Sequence, residues 1–285
     1  MSFSLTNYIT DTPDISIVDV GSSLIKSSLD KSFDYQPLLD VNRARVIGFE
    51  ADETRAKKAN EATGDHMTVL NRVIYDGTVA TFHENAFSLT SSLLPSNHDL
   101  IDRFHKLGDL QRTLSTSEVQ TFRLDDCVDP ETVDALFLDT QGAELKILEN
   151  ATRVLENALV IQTEIQFVPL YTGAPLFGDI DVYLRSRGFM FHTLISHACR
   201  TFKPIIAGGD EEAGLRQYVW GDAVYMPDIT KLGDLSREQL LKLALIMQDV
   251  YGSVDVAFEA LNAIDLREQS SLAPGLIDAI VASGG

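Results

Sequence analysis

With 285 residues, 45% of them hydrophobic and 23% charged, the chain has a globular composition, long enough for one large α/β domain with an appendage or for two small domains. A formal charge of −19 argues against nucleic acid, which is held through clustered Lys and Arg; the basic pieces "NRARV" and "TRAKKAN" are short and diluted by acids. No run of about 20 apolar residues is present to span a bilayer, the first residues lack the pattern of a secretory signal, and Cys127 and Cys199 stand far apart, as expected in a reducing cytoplasm.

From Ile15 onward, short apolar strands alternate with helical stretches. "ISIVDV" is a β-branched run that ends at Gly21, and "ARVIGFE" is a second, ending at Glu50. "DETRAKKANEATG" reads as a polar helix stopped by Gly64. "MTVLNRVIYDG" is a strand running into an Asp-Gly turn, with "TVATFHE" expected to pair with it as a hairpin. After a polar region come "EVQTFRLDD" and the strand "DALFLD". Beyond Glu144, the residues Ile147, Leu148, Ala151, Val154 and Leu155 form one apolar helical stripe. "ALVIQTEIQF" is the next strand, "DIDVYLRSRG" a helix ended by Gly188, and "FMFHTL" and "QYVWGDAVYM" are late strands. The alternation predicts a mostly parallel sheet covered by helices on both faces, with an antiparallel strand at an edge.

After Pro227 the texture becomes purely helical. Ser236 and Gln239 form a capping box ahead of "LLKLALIMQDVYG", and "VDVAFEALNAI" and "GLIDAIVAS" predict two more helices. The expected division is a Rossmann-like domain over residues 1–230 and a helical extension over 231–285. The extension either packs on the domain or a second copy, which leaves a homo-oligomer open, or acts as a substrate lid.

Chemistry points to the strand ends, where open parallel sheets bind ligands. Glu50, Asp139 and Glu164 finish apolar strands, and Asp19 sits just before the turn glycine of "VDVG". A carboxylate at Glu50, ending the second strand, is placed to accept hydrogen bonds from both hydroxyls of a ribose. "GSSLIKSS" has no second or third glycine, so the pyrophosphate cradle of NAD or FAD is disfavoured, and no P-loop is present. A nucleoside without a pyrophosphate fits better; S-adenosylmethionine is the common one that also carries a positive centre.

The segments "VDVG", "VIGFEAD", "TSSLLPSN", "RLDDCVD", "FLDTQGAELKILENA", "QTEIQFVPLYTGAPLFGDIDVYLRSRGF" and "WGDAVYMPD" occur in this order between Ile15 and Asp228. In this the chain resembles the FkbM family of methyltransferases, and Tyr35 to Leu39 match a "Y-x-P-L-L" segment of one subgroup. The resemblance implies a class I, Rossmann-like fold, S-adenosylmethionine as methyl donor, and a small-molecule or glycan acceptor methylated on a hydroxyl. The family's first motif, D-V-G-A-N-x-G, is altered here by Ser22, Ser23 and Ile25. Glu50-Ala51-Asp52 stands for the usual E-P-D, and Phe137 for a usual Lys.

On this reading Asp19, Gly21, Ser22, Glu50 and Ala51 hold the cofactor. Asp139, Gln141 and Glu164 form the catalytic set, Glu164 with Asp139 accepting the acceptor's proton, while Glu144 organises the turn. Glu164 paired with an Arg is the bland alternative. Asp139 and Glu164 also allow a metal-assisted variant with Mg²⁺, which is not favoured because no tight ligand cluster is visible, and no metal ligand is assigned. Tyr171, Pro175, Leu176 and Phe177 either line an acceptor wall or pack as a rigid loop. With its first motif altered, a non-catalytic cofactor-binding or scaffold module is the alternative from outside the enzyme class.

Overall fold

The computed structural model describes residues 3–9, 12–21 and 34–283. Its centre is a seven-stranded sheet. The strands are β1 (Ile15–Val20), β2 (Ala44–Glu50), β3 (Met67–Asn71), β7 (Ala135–Leu138), β8 (Val160–Gln166), β9 (Phe189–Cys199) and β10 (Tyr218–Pro227). Their spatial order is β3-β2-β1-β7-β8-β10-β9. The first five run parallel, and β10 lies antiparallel to both β8 and β9. The antiparallel strand expected near an edge is thus one place in, with β9 outside it. Strands buried on both faces favour apolar side chains at nearly every position, which is why "ALFL" and most of "ISIVDV" read as runs rather than alternations.

Helices cover both faces. On one face lie α5 (Glu144–Glu149), α6 (Thr152–Asn157) and α7 (Phe177–Ser186), packed on Val18, Leu136, Ile161 and Ala223. The predicted stripe after Glu144 is buried as a whole but belongs to two helices, because the chain breaks at Asn150–Ala151. Asp125 caps the second start, accepting from Arg153 N and Val154 N, each at 3.0 Å. On the opposite face lie α8 (Arg237–Asp249), α9 (Val254–Glu268) and α10 (Leu272–Ala282), with the short α1 (Gln36–Asp40). The capping box forms as expected: Gln239 N donates to Ser236 Oγ at 3.2 Å, and Ser236 N to Gln239 Oε1 at 2.9 Å. Helix α2 (Glu53–Thr63) lies against β2 and β3.

One pairing differs from expectation. Strand β5 (Val79–Asn85) does not form a hairpin with β3; it pairs antiparallel with β6 (Thr113–Phe122), and β4 (Val73–Ile74) pairs parallel with β6. This three-stranded sheet carries, between β5 and β6, the short helices α3 (His98–Ile101) and α4 (Leu107–Leu110). Ile101, Phe104 and Leu107 pack on Leu170, Tyr171 and Val219, so the arm is fastened to the loop after β8 beside the carboxyl ends of the parallel strands. Among the described residues no helix is long and apolar enough to cross a membrane.

Candidate functional site

The switch in strand order falls at β1, whose neighbours β2 and β7 leave in opposite directions; such a crevice is where open α/β sheets bind ligands. A cavity of about 530 Å³ opens there, within the usual range for small-molecule sites. Its floor is Val20, Gly21, Glu50, Ala51, Asp139 and Gln141, and its apolar walls are Phe49, Val73, Ile74, Phe82, Leu89 and Leu93.

Gly21 is required by its surroundings. Its φ is +73°, and an added Cβ would strike the Asp139 carbonyl and come within 3.0 Å of Thr140 Cγ2. Gly21 N donates to Phe49 O and Asp139 N to Val20 O, each at 3.0 Å, so the ends of β1, β2 and β7 are stitched together under the cavity. Ser22, and with it Ser23 and Ile25, lies outside the described residues.

Glu50 is nearly buried. Its Oε1 accepts from Asp52 N and from Arg55 Nη2, both at 2.9 Å. The arginine pairing considered for Glu164 is therefore found at Glu50 instead. Ala51 follows on the cavity floor, its carbonyl and that of Glu50 both held by Asn71 Nδ2. Asp19 is not part of the lining. It is buried one step below, and its Oδ2 accepts from Tyr35 Oη at 2.6 Å, with the Tyr35 ring edge-on to Phe137 at 5.0 Å. Burial, then the Asp19 charge, lifts the Tyr35 phenol far above its ordinary value, so it stays a neutral donor.

The turn after β7 gathers the remaining acids. Gln141 has φ +56° and Gly142 φ +103°, and Ser92 Oγ, from the arm, donates to Gln141 O at 2.7 Å. Glu144 staples this turn: Oε1 accepts from Thr140 N (2.8 Å) and Thr140 Oγ1 (3.0 Å), and Oε2 from Gly142 N (2.9 Å). It is buried, and burial raises its pKa against the lowering effect of those bonds.

Gln141 joins the other two members of the expected set. Its Nε2 donates to Asp139 Oδ1 at 2.7 Å and to Glu164 Oε2 at 2.8 Å. Asp139 and Gln141 line the cavity; Glu164 does not, and connects to it through the amide. Glu164 is held well above the ordinary carboxylate range by burial, then by the negative charges of Asp139, Glu144 and Asp222, with the Gln141 bond opposing. Asp222 lies directly across from Glu164 on β10 and accepts from Ser196 Oγ. Among the described residues no group of three or more His, Cys, Asp and Glu is placed to hold a metal ion.

Several lining residues escaped the sequence reading. Arg55 carried a signal, standing five positions beyond the strand-end Glu50 at the start of the next helix. Ser92 and Trp220, whose ring has the Arg200 guanidinium 4.7 Å from its centre, fell inside the family-like segments "TSSLLPSN" and "WGDAVYMPD" without a role of their own, and Arg72 carried no signal. Tyr171 was left between acceptor wall and packing; it is fully buried and reaches the site through its hydroxyl.

This sheet, with its strand order, its one reversed strand and a cavity at the switch point, is that of the class I, Rossmann-like methyltransferases. The methyltransferase FkbM domain matches residues 30–191, more than half of the chain, and the protein belongs to that family. No curated protein matches it. Among solved structures it is similar to a candidate methyltransferase from Thermoplasma acidophilum, with 12% identity over 80% of this chain and 76% of that one, TM-score 0.35. It is also similar to a SAM-dependent methyltransferase from Anabaena variabilis, with 9% identity over 78% and 82%, TM-score 0.34. A third is the 23S rRNA methyltransferase ErmE, with 12% identity over 94% and 90%, TM-score 0.31.

Proposed function

We propose that the protein transfers a methyl group from S-adenosylmethionine to a hydroxyl of a small-molecule or glycan acceptor. The observation that carries this reading is the Gln141 amide, which ties the cavity-lining Asp139 to Glu164 beside Gly21 and Glu50. The residues fit the cofactor: Glu50 Oε2 is left for a ribose hydroxyl, Phe49, Val73, Ile74 and Leu93 form an apolar slot for a base, and Gly21 lets the end of β1 lie against the Asp139 carbonyl on the cavity floor. When bound, S-adenosylmethionine supplies a methyl group activated by a sulfonium, and positioning supplies most of the acceleration.

Glu164 is the general base in this scheme. Its raised pKa makes it bind a proton more strongly than an ordinary carboxylate does. The hydroxyl proton passes to the Asp139–Glu164 pair, whose member on the cavity is Asp139, as the acceptor oxygen gains the methyl group. Asp139 and Gln141 stand between the donor side and Glu164, with Trp220 beside them on the lining as a flat surface for the acceptor.

Calorimetric titration with S-adenosylhomocysteine tests the cofactor. Roughly micromolar, one-to-one binding is expected, and Glu50→Ala should weaken it by about 1–3 kcal/mol through lost charged hydrogen bonds. An unchanged affinity in Glu50→Ala would remove the ribose role. No binding to folded wild-type protein would sink the methyl-transfer reading and favour a scaffold module.

A further inference from the structure

An amide has a donor end and an acceptor end, and only one way round serves two carboxylates. In Gln141 the nitrogen faces Asp139 Oδ1 and Glu164 Oε2 at 2.7 and 2.8 Å. Turned over, it would set its oxygen against two carboxylate oxygens at those distances, and buried acceptors facing one another are costly. The observed orientation leaves Gln141 Oε1 pointing the other way, where it needs a donor. Tyr171 Oη stands 2.9 Å from it. The same hydroxyl is 2.9 Å from Thr90 O, but that carbonyl also accepts from Asn85 Nδ2 at 2.7 Å and so stays paired when the single phenolic proton goes to Gln141 Oε1.

Tyr171 is built to stay there. Its side chain is fully buried in the cluster of Ile101, Phe104, Leu107 and Leu170, and its ring abuts Gly142, where an added Cβ would lie 3.4 Å from Tyr171 Cδ2. Burial, then the charges of Glu164, Asp139 and Glu144, raises its phenol well above the ordinary value, so it donates at every working pH.

We propose that Tyr171, which does not line the cavity, is the positioning residue of the transfer site: its hydroxyl holds Gln141 Oε1, keeps the amide nitrogen on Asp139 and Glu164, and so fixes the cavity-lining Asp139 and the Glu164 behind it as one proton-accepting pair. The inference rests on the reading of Asp139 and Glu164 as that site. The charged and titratable groups facing Glu164 are Asp139 at the end of β7, Glu144 on α5, Asp222 on β10 and Tyr171 itself on the loop after β8.

The test needs no acceptor. In the full-length protein, the Glu164 carboxyl carbon is titrated by ¹³C NMR, its signal assigned by its loss in Glu164→Gln. Tyr171→Phe should raise the midpoint by about half to one pH unit, the worth of one weakened hydrogen bond. Gln141→Leu should raise it at least as far, and the double variant no further than Gln141→Leu alone, because both substitutions remove one path. A merely packing role for Tyr171 would lower thermal stability and leave the midpoint where it was. An unmoved midpoint in Tyr171→Phe, or shifts that add in the double variant, overturns the proposal. Should Tyr171→Phe not fold, Gln141→Leu asks the same question without disturbing the buried ring, and an unmoved midpoint there overturns it equally. Binding of S-adenosylhomocysteine to the wild type is read separately: its absence defeats the proposed activity and leaves the titration result standing, whereas binding with an unmoved midpoint defeats only this inference.

Discussion

Glu164 stores a conflict between stability and function. Its pKa is raised in the folded state by burial and by Asp139, Glu144 and Asp222, while the unfolded chain returns it to the ordinary carboxylate value. Between those two values the folded protein holds a proton that the unfolded chain has lost. Stability therefore falls as pH rises through the folded pKa, and is undiminished only below the unfolded one. Glu164→Gln removes this dependence and keeps an amide for Gln141 to face. The expected result is a variant without methyl transfer whose melting temperature exceeds wild type by a margin that grows as pH rises above the ordinary carboxylate range. A margin that stays constant, or shrinks with rising pH, would mean that Glu164 is ionised throughout and is not the strained group of the site. The acids themselves were readable in the sequence, because an apolar strand that ends on a carboxylate breaks the hydrophobic pattern where ligands bind. Tyr171 was readable only as acceptor wall or packing, and Ser92 and Trp220 only as members of family-like segments. They come from the loop after β8, the β5–β6 arm and β10, and only the fold brings them to Gln141 or the cavity around it.

At the scale of elements, legibility follows burial. The strands β1 and β2 fall on the boundaries read from their apolar runs, since a sheet covered on both faces leaves an unambiguous hydrophobic signature. Of strand β6, "TLSTSEVQTF", only the end "EVQTF" stood out, because most of its side chains are exposed, so hydroxyl and polar residues serve as well as apolar ones and no period appears. That concealment produced the mistaken hairpin between β3 and β5. The break between α5 and α6 is another feature that sequence periodicity cannot show. The apolar stripe continues across it, and the signal for a new helix start is Asp125, 27 positions before Thr152. Two backbone donors of α6 depend on that carboxylate. Replacing Asp125 by Ala should cost about 0.5–2 kcal/mol, the usual worth of an N-terminal cap, measured as a lower urea midpoint with unchanged slope. No loss of stability would show that water satisfies the α6 start as well as Asp125 does.

At the scale of the whole molecule, the question is whether residues 231–285 are an appendage, a lid or part of the fold. The sheet face that α8 covers is made of Ile15, Ile17, Val46, Ala135, Val160 and Val224, and the helix contributes Leu240, Leu243, Ile246 and Met247, all essentially inaccessible. Burying one such side chain is worth about 1.5–3 kcal/mol, and a domain's net stability is only about 5–15 kcal/mol. Loss of the helix would therefore consume most of what holds the sheet together. Polar ties point the same way. Lys242 Nζ meets Asp134 Oδ1 at 3.0 Å while Asp134 Oδ2 accepts from Ser16 N at 2.8 Å, and Asp249 accepts from Ser4 Oγ and Leu5 N, each at 2.7 Å. Tyr251 Oη donates at 2.9 Å to Gln162 Oε1, two residues before Glu164 on the same face of β8, so the extension also underpins the strand that carries the proposed base. We infer that residues 231–285 complete the core of residues 1–230 rather than fold beside it. A chain ending at residue 230 should be insoluble or should lack a cooperative thermal transition, and should not bind S-adenosylhomocysteine. A folded 1–230 fragment with a sharp transition would show instead that the extension is separable. If that fragment also bound the cofactor product more weakly or more rapidly than the full chain, the extension would act as a lid.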